Sequence, residues 1–215
     1  PDSPWLDRAE AAWQLVTASN ATVDLERAAF LIVQASRRRA EHDPTSALRL
    51  VQEAEQLLRK PLAAPSSRRD FLYVECLAQL ARLHAETGDL DAADLHRTRA
   101  RTELERTIAF EPDALGPRRA MARLELDAAT SALQRGRPDQ ALTLLDRAMR
   151  EIERVDAVEP ASPPAALTRL GIAVTRAAAL TEIQDGRAEL VEAAFQSALE
   201  QLEAVVTRSN APLAE

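Results

Sequence analysis

Aromatic residues, glycine, cysteine and lysine are all scarce in this chain. Only 3% of its 215 residues are Phe, Trp or Tyr, although 46% are hydrophobic, so any core must be aliphatic and rich in alanine. Five glycines and twelve prolines are too few for sandwiches, barrels or collagen-like chains. A single cysteine, Cys76, excludes an internal disulfide and any zinc site built from several thiolates. No apolar run approaches the roughly 18 residues of a membrane helix; the longest clear one is Ala28 to Val33. Lys60 is the lone lysine, and every other base is arginine. These absences point to an all-α protein that works in the cytoplasm, with no membrane contact.

The charged residues are interleaved. Thirty-four acids stand against 27 bases, a net charge of −7, in runs such as Arg147, Arg150, Glu151, Glu153 and Arg154. That spacing suits solvated helix faces laced with pairs three and four apart. The net charge argues against nonspecific nucleic-acid binding, which needs a basic footprint. Arg37, Arg38 and Arg39 read as cations at the end of a helix, where they suit its dipole.

The helix breakers carry a period. Gly88 to Gly136 is 48 residues and Gly136 to Gly186 is 50; Pro65 to Pro112 is 47 and Pro112 to Pro160 is 48. A fixed spacing of this size is expected of stacked helix pairs. Each glycine follows an amphipathic run, as a C-cap in need of positive φ would. The matching residue in the first repeat is His42, of a type enriched among non-glycine residues in that conformation.

Aligned on His42, Gly88, Gly136 and Gly186, the chain shows small residues in register. Seven before the turn stand Ala35, Ala81, Ala129 and Ala179; five after it stand Ala47, Ala93, Ala141 and Val191; twelve after it stand Ala54, Ala100, Ala148 and Ala198. Small side chains at these positions let antiparallel helices approach closely. Behind them an apolar stripe is expected, from Val51, Leu145 and Phe195 nine after the turn and Leu58, Leu104, Ile152 and Leu202 sixteen after; Arg97 interrupts it. The pattern predicts helices at about 22–41 and 44–60, 67–87 and 89–110, 113–135 and 138–157, and 164–185 and 187–208, after a leading helix at about 4–19. Asp43 and Asp113 are expected N-caps. The organisation is thus a capping helix within 1–20, a repeat domain at 21–208 (repeats about 22–60, 67–110, 113–157 and 164–208) and a tail at 209–215.

Leu77, Leu80, Ala81, Gly88, Ala93 and Ala100, and again Ala128, Ala129, Gly136, Ala141, Leu145 and Ala148, make residues 22 to 207 resemble the tetratricopeptide repeat (TPR) family. A repeat near 48 residues, where the family's is about 34, is similar to the long-helix variants found in bacterial signalling proteins and regulators. The resemblance implies a right-handed α-solenoid of four antiparallel helix pairs, whose first helices line a concave face. On that face it would place Ser36, Arg39, Glu75, Arg82, Arg123, Thr130 and Arg176. Four arginines from four repeats would suit carboxylate or phosphate groups, because the guanidinium makes bidentate contacts.

The implied function is a protein-binding scaffold or regulatory module with a protein or peptide partner; the alternative is a ligand- or peptide-sensing domain of a signalling or transcription regulator. Opening on Pro1 rather than methionine reads as a fragment or a processed form, and the expected whole is a larger bacterial protein. Catalysis finds little footing: there is no Gly-x-Ser-x-Gly elbow, no His-Glu-x-x-His and no phosphate-loop lysine. No cofactor is expected. Cys76 lies inside a helical run and reads as a small buried hydrophobe. His84 and His96 flank the Gly88 turn and could face one another, but two histidines with Glu86 or Asp94 make a weak metal set, and none is expected. Trp5 and Trp13, eight apart on the leading helix, suit a cap over the first pair or an N-terminal interface.

Overall fold

Three turns with the same hydrogen bonds divide the helices into pairs. His42, Gly88 and Gly136 have φ of +60°, +85° and +65°. The following N–H reaches back to close each helix: Asp43 to Arg38 O at 2.9 Å, Asp89 to His84 O at 2.8 Å, Arg137 to Ala132 O at 2.9 Å. The turn residue itself donates to Arg39, Ala85 and Leu133 carbonyls in turn. This is the Schellman closure, which satisfies carbonyls left open at a helix end and requires a left-handed residue. Sequence spacing therefore located all three, histidine included. Gly186 lies outside the described residues.

The computed structural model describes residues 8, 11–13, 21–60, 66–160, 162–183 and 188–209; at helical positions 21, 188, 198, 201, 202 and 204–209 the backbone alone is described. Its helices are α1 (Ala21–Ala40), α2 (Pro44–Arg59), α3 (Ser67–Glu86), α4 (Leu90–Phe110), α5 (Leu115–Gln134), α6 (Pro138–Val158), α7 (Pro163–Glu182) and α8 (Ala188–Ser209). No strand occurs among the described residues. Of the leading helix, residues 8 and 11–13 are helical, and the rest of that expectation lies outside the described residues.

Helix starts follow ordinary capping chemistry. Asp43 accepts from Ser46 N at 3.0 Å ahead of Pro44, which as the first helical residue lacks only an N–H that would be unsatisfied anyway. Ser66 accepts from Arg69 N, and Asp89 from Ala92 N. Asp113 does not cap α5. The helix begins later than expected, its N-cap is Ala114 without a side-chain bond, and Arg118 holds the preceding loop by donating to Pro112 O.

The chain forms two compact units, Pro1–Glu103 and Leu104–Glu215. In the first, α2 packs on α1 and on α3, and α1 touches α3. In the second, α6 packs on α5 and α7, α7 packs on α8, and α5 touches α7. Helices thus pack neighbour to neighbour, and the first helices of successive pairs meet in both units.

The described alanine side chains of the register are buried. Ala35, Ala47, Ala54, Ala81, Ala93, Ala100, Ala129, Ala141, Ala148 and Ala179 are all buried. Behind them Val51, Leu58, Leu104, Leu145 and Ile152 are buried too. In the second unit Ala129, Ala141, Ala148, Ile152, Ala165, Ile172 and Ala179 belong to one cluster drawn from α5, α6 and α7. The side chains of Ala198 and Leu202 lie outside the described ones. Phe195 departs from the expected stripe and is 49% exposed. Val51 and Leu145 are covered because α3 and α7 pack against their helices; among the described residues no further helix lies on α8. Arg97, the break in the stripe, is nevertheless buried and donates to Asp94 at 2.7 Å.

Overfilling the close contact tests the packing: Ala141→Leu should cost about 1–3 kcal/mol in urea unfolding, and an unchanged midpoint would contradict it. At the turns, a Cβ on Gly136 would meet open space, so Gly136→Ala is opposed by φ alone. It should cost about 1 kcal/mol, whereas His42→Gly should gain about 0.5 kcal/mol, relief of left-handed strain less glycine's chain entropy.

Candidate functional site

Where α1 meets α3, polar side chains replace the alanine packing. Glu75, Gln79, Arg82 and Glu86 recur at spacings of four, three and four, one stripe along α3. Ser36 and Arg39 stand opposite on α1. Gln79 Nε2 donates to Ser36 Oγ at 3.0 Å and more weakly to Glu75 Oε1 at 3.4 Å, while the Ser36 hydroxyl donates back to Ile32 O. Arg39 Nε donates to Glu86 Oε1 at 2.7 Å. Ser36, Arg39, Glu75 and Arg82 are therefore brought together on one seam, Arg82 half-buried between Gln79 and Glu86.

Gln79, the buried link of the seam, is not among the residues expected from sequence. Its signal is a lone amide inside Cys76-Leu77-Ala78-Gln79-Leu80-Ala81, four residues after Glu75. Arg39 and Glu86 are both well exposed. Such a pair contributes only about 0–1 kcal/mol, so either member can exchange its partner for an incoming charge at small cost.

The second unit places its candidates differently. Arg123 is exposed on α5, and the Thr130 hydroxyl donates to Leu126 O one turn back. Arg176 turns to α6 instead, donating to Asp146 Oδ1 at 2.6 Å, and Arg169 makes the same kind of bond to Asp156. Both arginines clamp α7 onto α6. On the α5 side Gly171 allows a close approach: a Cβ there would lie 2.7 Å from Leu126 Cδ2.

A second polar cluster sits at the α3–α4 turn. The His84 and His96 rings stack at 5.3 Å between centroids and 10° between planes. The two histidines do face one another. His84 Nδ1 lies 3.6 Å from Asp89 Oδ2. Glu55 Oε1 of α2 is buried without a hydrogen bond, with Arg59 Nε at 3.4 Å and Arg99 Nη1 at 3.9 Å. Burial pushes the His96 pKa down; Glu55 opposes this, and the charges on His84, Arg99 and Arg59 add to it. Among the described residues no group of three or more His, Cys, Asp or Glu is placed to hold a metal ion.

Cys76 is buried as expected, its thiol directed at Val51 O at 3.4 Å. Burial, then the charges of Glu55 and Glu75, raise its pKa far above the ordinary thiol value, so it is a poor nucleophile. At the N-terminal end Trp13 is half-buried with its ring 6.2 Å from that of Phe30 on α1. Trp5 lies outside the described residues. No described helix is long and apolar enough to cross a membrane.

No protein-family model, curated protein or solved structure matches the chain.

The His96 environment has a pH consequence. A histidine whose folded pKa is depressed stays neutral in the native state while the unfolded chain takes up its proton. Its stabilisation is fully present above pH 6.5, the ordinary value, and is lost as pH falls toward the folded pKa. Urea midpoints at pH 7.5 and 5.5 should therefore drop more for the wild type than for His96→Gln. Parallel drops would show that His96 does not carry the effect.

Proposed function

We propose that this chain is a non-catalytic interaction module: a right-handed, TPR-like array whose first helices present a polar binding face to a protein or peptide. The observation that carries the reading is the α1–α3 seam. Two touching first helices offer Ser36, Arg39, Glu75, Arg82 and Glu86 in two rows, on a backbone held by buried alanines. A preformed helical surface of this kind binds without first having to order itself. Its charges alternate in sign, which suits a polar segment carrying both carboxylates and cations better than a uniformly charged polymer. In the second unit the corresponding surface would be the α5 face bearing Arg123 and Thr130. A role in signalling or regulation, with the array holding an attached effector or its target, follows from that kind of surface.

Site-specific photo-crosslinking tests this. A benzophenone side chain replacing Arg39 or Arg82 should give a discrete protein adduct, and one replacing Gln56 on the exposed side of α2 should not. Glu75→Arg should weaken the same partner by about tenfold with an unchanged melting temperature. Equal adducts on both sides, or none from the seam, would overturn the reading.

A further inference from the structure

The outer face of α8 has the pattern of a helix seat. In sequence register, Phe195 stands where α2 has Val51 and α6 has Leu145, and Leu199 stands where α6 has Met149. On α6 these positions are covered: Leu145 is fully buried, Met149 half-buried, because α7 lies on them with Ala165, Ile172 and Ala179. On α8, Phe195 and Leu199 are 49% and 54% exposed. The adjoining side of the helix is already used, Ala194 and Val191 packing with Ala177 and Leu180 of α7. Covering the exposed parts of these two large side chains is the driving force that remains on this face.

Charge identifies the occupant. Elsewhere the chain matches acids with arginines, but from Ala188 to Thr207 there is no arginine or lysine, while Glu189, Glu192, Glu200 and Glu203 are all exposed. Among the described residues no cation pairs with these four. The internal seat shows how such acids are met: α7 carries Arg169 and Arg176, seven apart, onto Asp156 and Asp146 of α6, alongside its apolar residues Ala165, Ile172 and Ala179 at the same spacing.

We propose that the Phe195–Leu199 face of α8 binds a basic amphipathic helix of a partner protein, one with small or branched apolar residues every seven positions and arginines or lysines beside them. The partner helix occupies on α8 the place that α7 occupies on α6. This rests on the reading of the chain as an interaction module but uses a different surface from the α1–α3 seam, so either can fail alone.

The test uses the full chain and two synthetic helical peptides of about three heptads, with identical Ala/Ile stripes and either arginine or glutamate flanks. Fluorescence anisotropy should show the arginine peptide binding about tenfold tighter or more, with the preference shrinking as salt rises. Phe195→Ser with Leu199→Ser should remove that binding without moving the melting temperature, since both side chains are exposed, and Arg82→Glu should leave it intact. Equal affinity for the two peptides, or binding indifferent to the double substitution, would overturn the proposal. So would light scattering that shows the wild type as a dimer and the double variant as a monomer, because a second copy would then fill the face. Loss of peptide binding with seam crosslinks retained would sink this proposal and leave the module reading standing.

Discussion

Close approach of helix to helix is the constraint from which the other features follow. Ala47, Ala54, Ala141 and Ala148 bring the second helix of a pair near its neighbours, with no side chain beyond a methyl to hold them apart. Aliphatic cores with few aromatics need this, because short side chains fill space only when backbones are near. The repeated Schellman turns then matter for more than chain reversal. They start each second helix at a set distance from the turn, so residues five and twelve later fall on the same face every time. A one-residue slip would carry each alanine about 100° around its helix and break the contact.

That economy of packing leaves polar chemistry at the margins of the alanine contacts. The seam between α1 and α3, the stacked histidines at the α3–α4 turn and the arginines that clamp α7 to α6 all lie where the small-residue rows give way. Gln79 and Arg97 show what burial demands of a polar side chain. Gln79 bonds to Ser36 and Arg97 to Asp94, hydrogen bonds that offset part of the cost of burying each side chain. Burial acts on His96 through its charge, pushing its pKa down against the opposing pull of the occluded Glu55.

The two exposed surfaces singled out for binding differ in kind. The α1–α3 seam is polar, its Arg39–Glu86 ion pair exposed and readily exchanged. The α8 face is apolar with acids around it and no described cation to answer them. One favours selection by charge pattern, the other by burial together with charge, and a protein carrying both could hold two unlike partners.

Much of the architecture was legible because it depends on local rules. Turn residues with positive φ, prolines at first helical positions, Asp43 as a cap and alanines spaced by helical periodicity are short-range properties, and helix boundaries read from them lie within a few residues of those observed. The candidate site was legible only in part: Ser36, Arg39, Glu75 and Arg82 share a seam, but nothing local distinguishes Arg176, bound to Asp146 30 residues away, from Arg123, which stands exposed. Asp113 missed its cap because the helix started later and Arg118 closed the loop. Phe195 is exposed because coverage depends on a neighbouring helix rather than on the residue. Composition and periodicity by themselves determined that the chain is helical, where it turns and which residues are small enough to meet. The tertiary structure alone decided which charges pair, that the two histidines stack and which apolar residues are left uncovered, because each of those outcomes depends on the distance between side chains that the sequence keeps far apart.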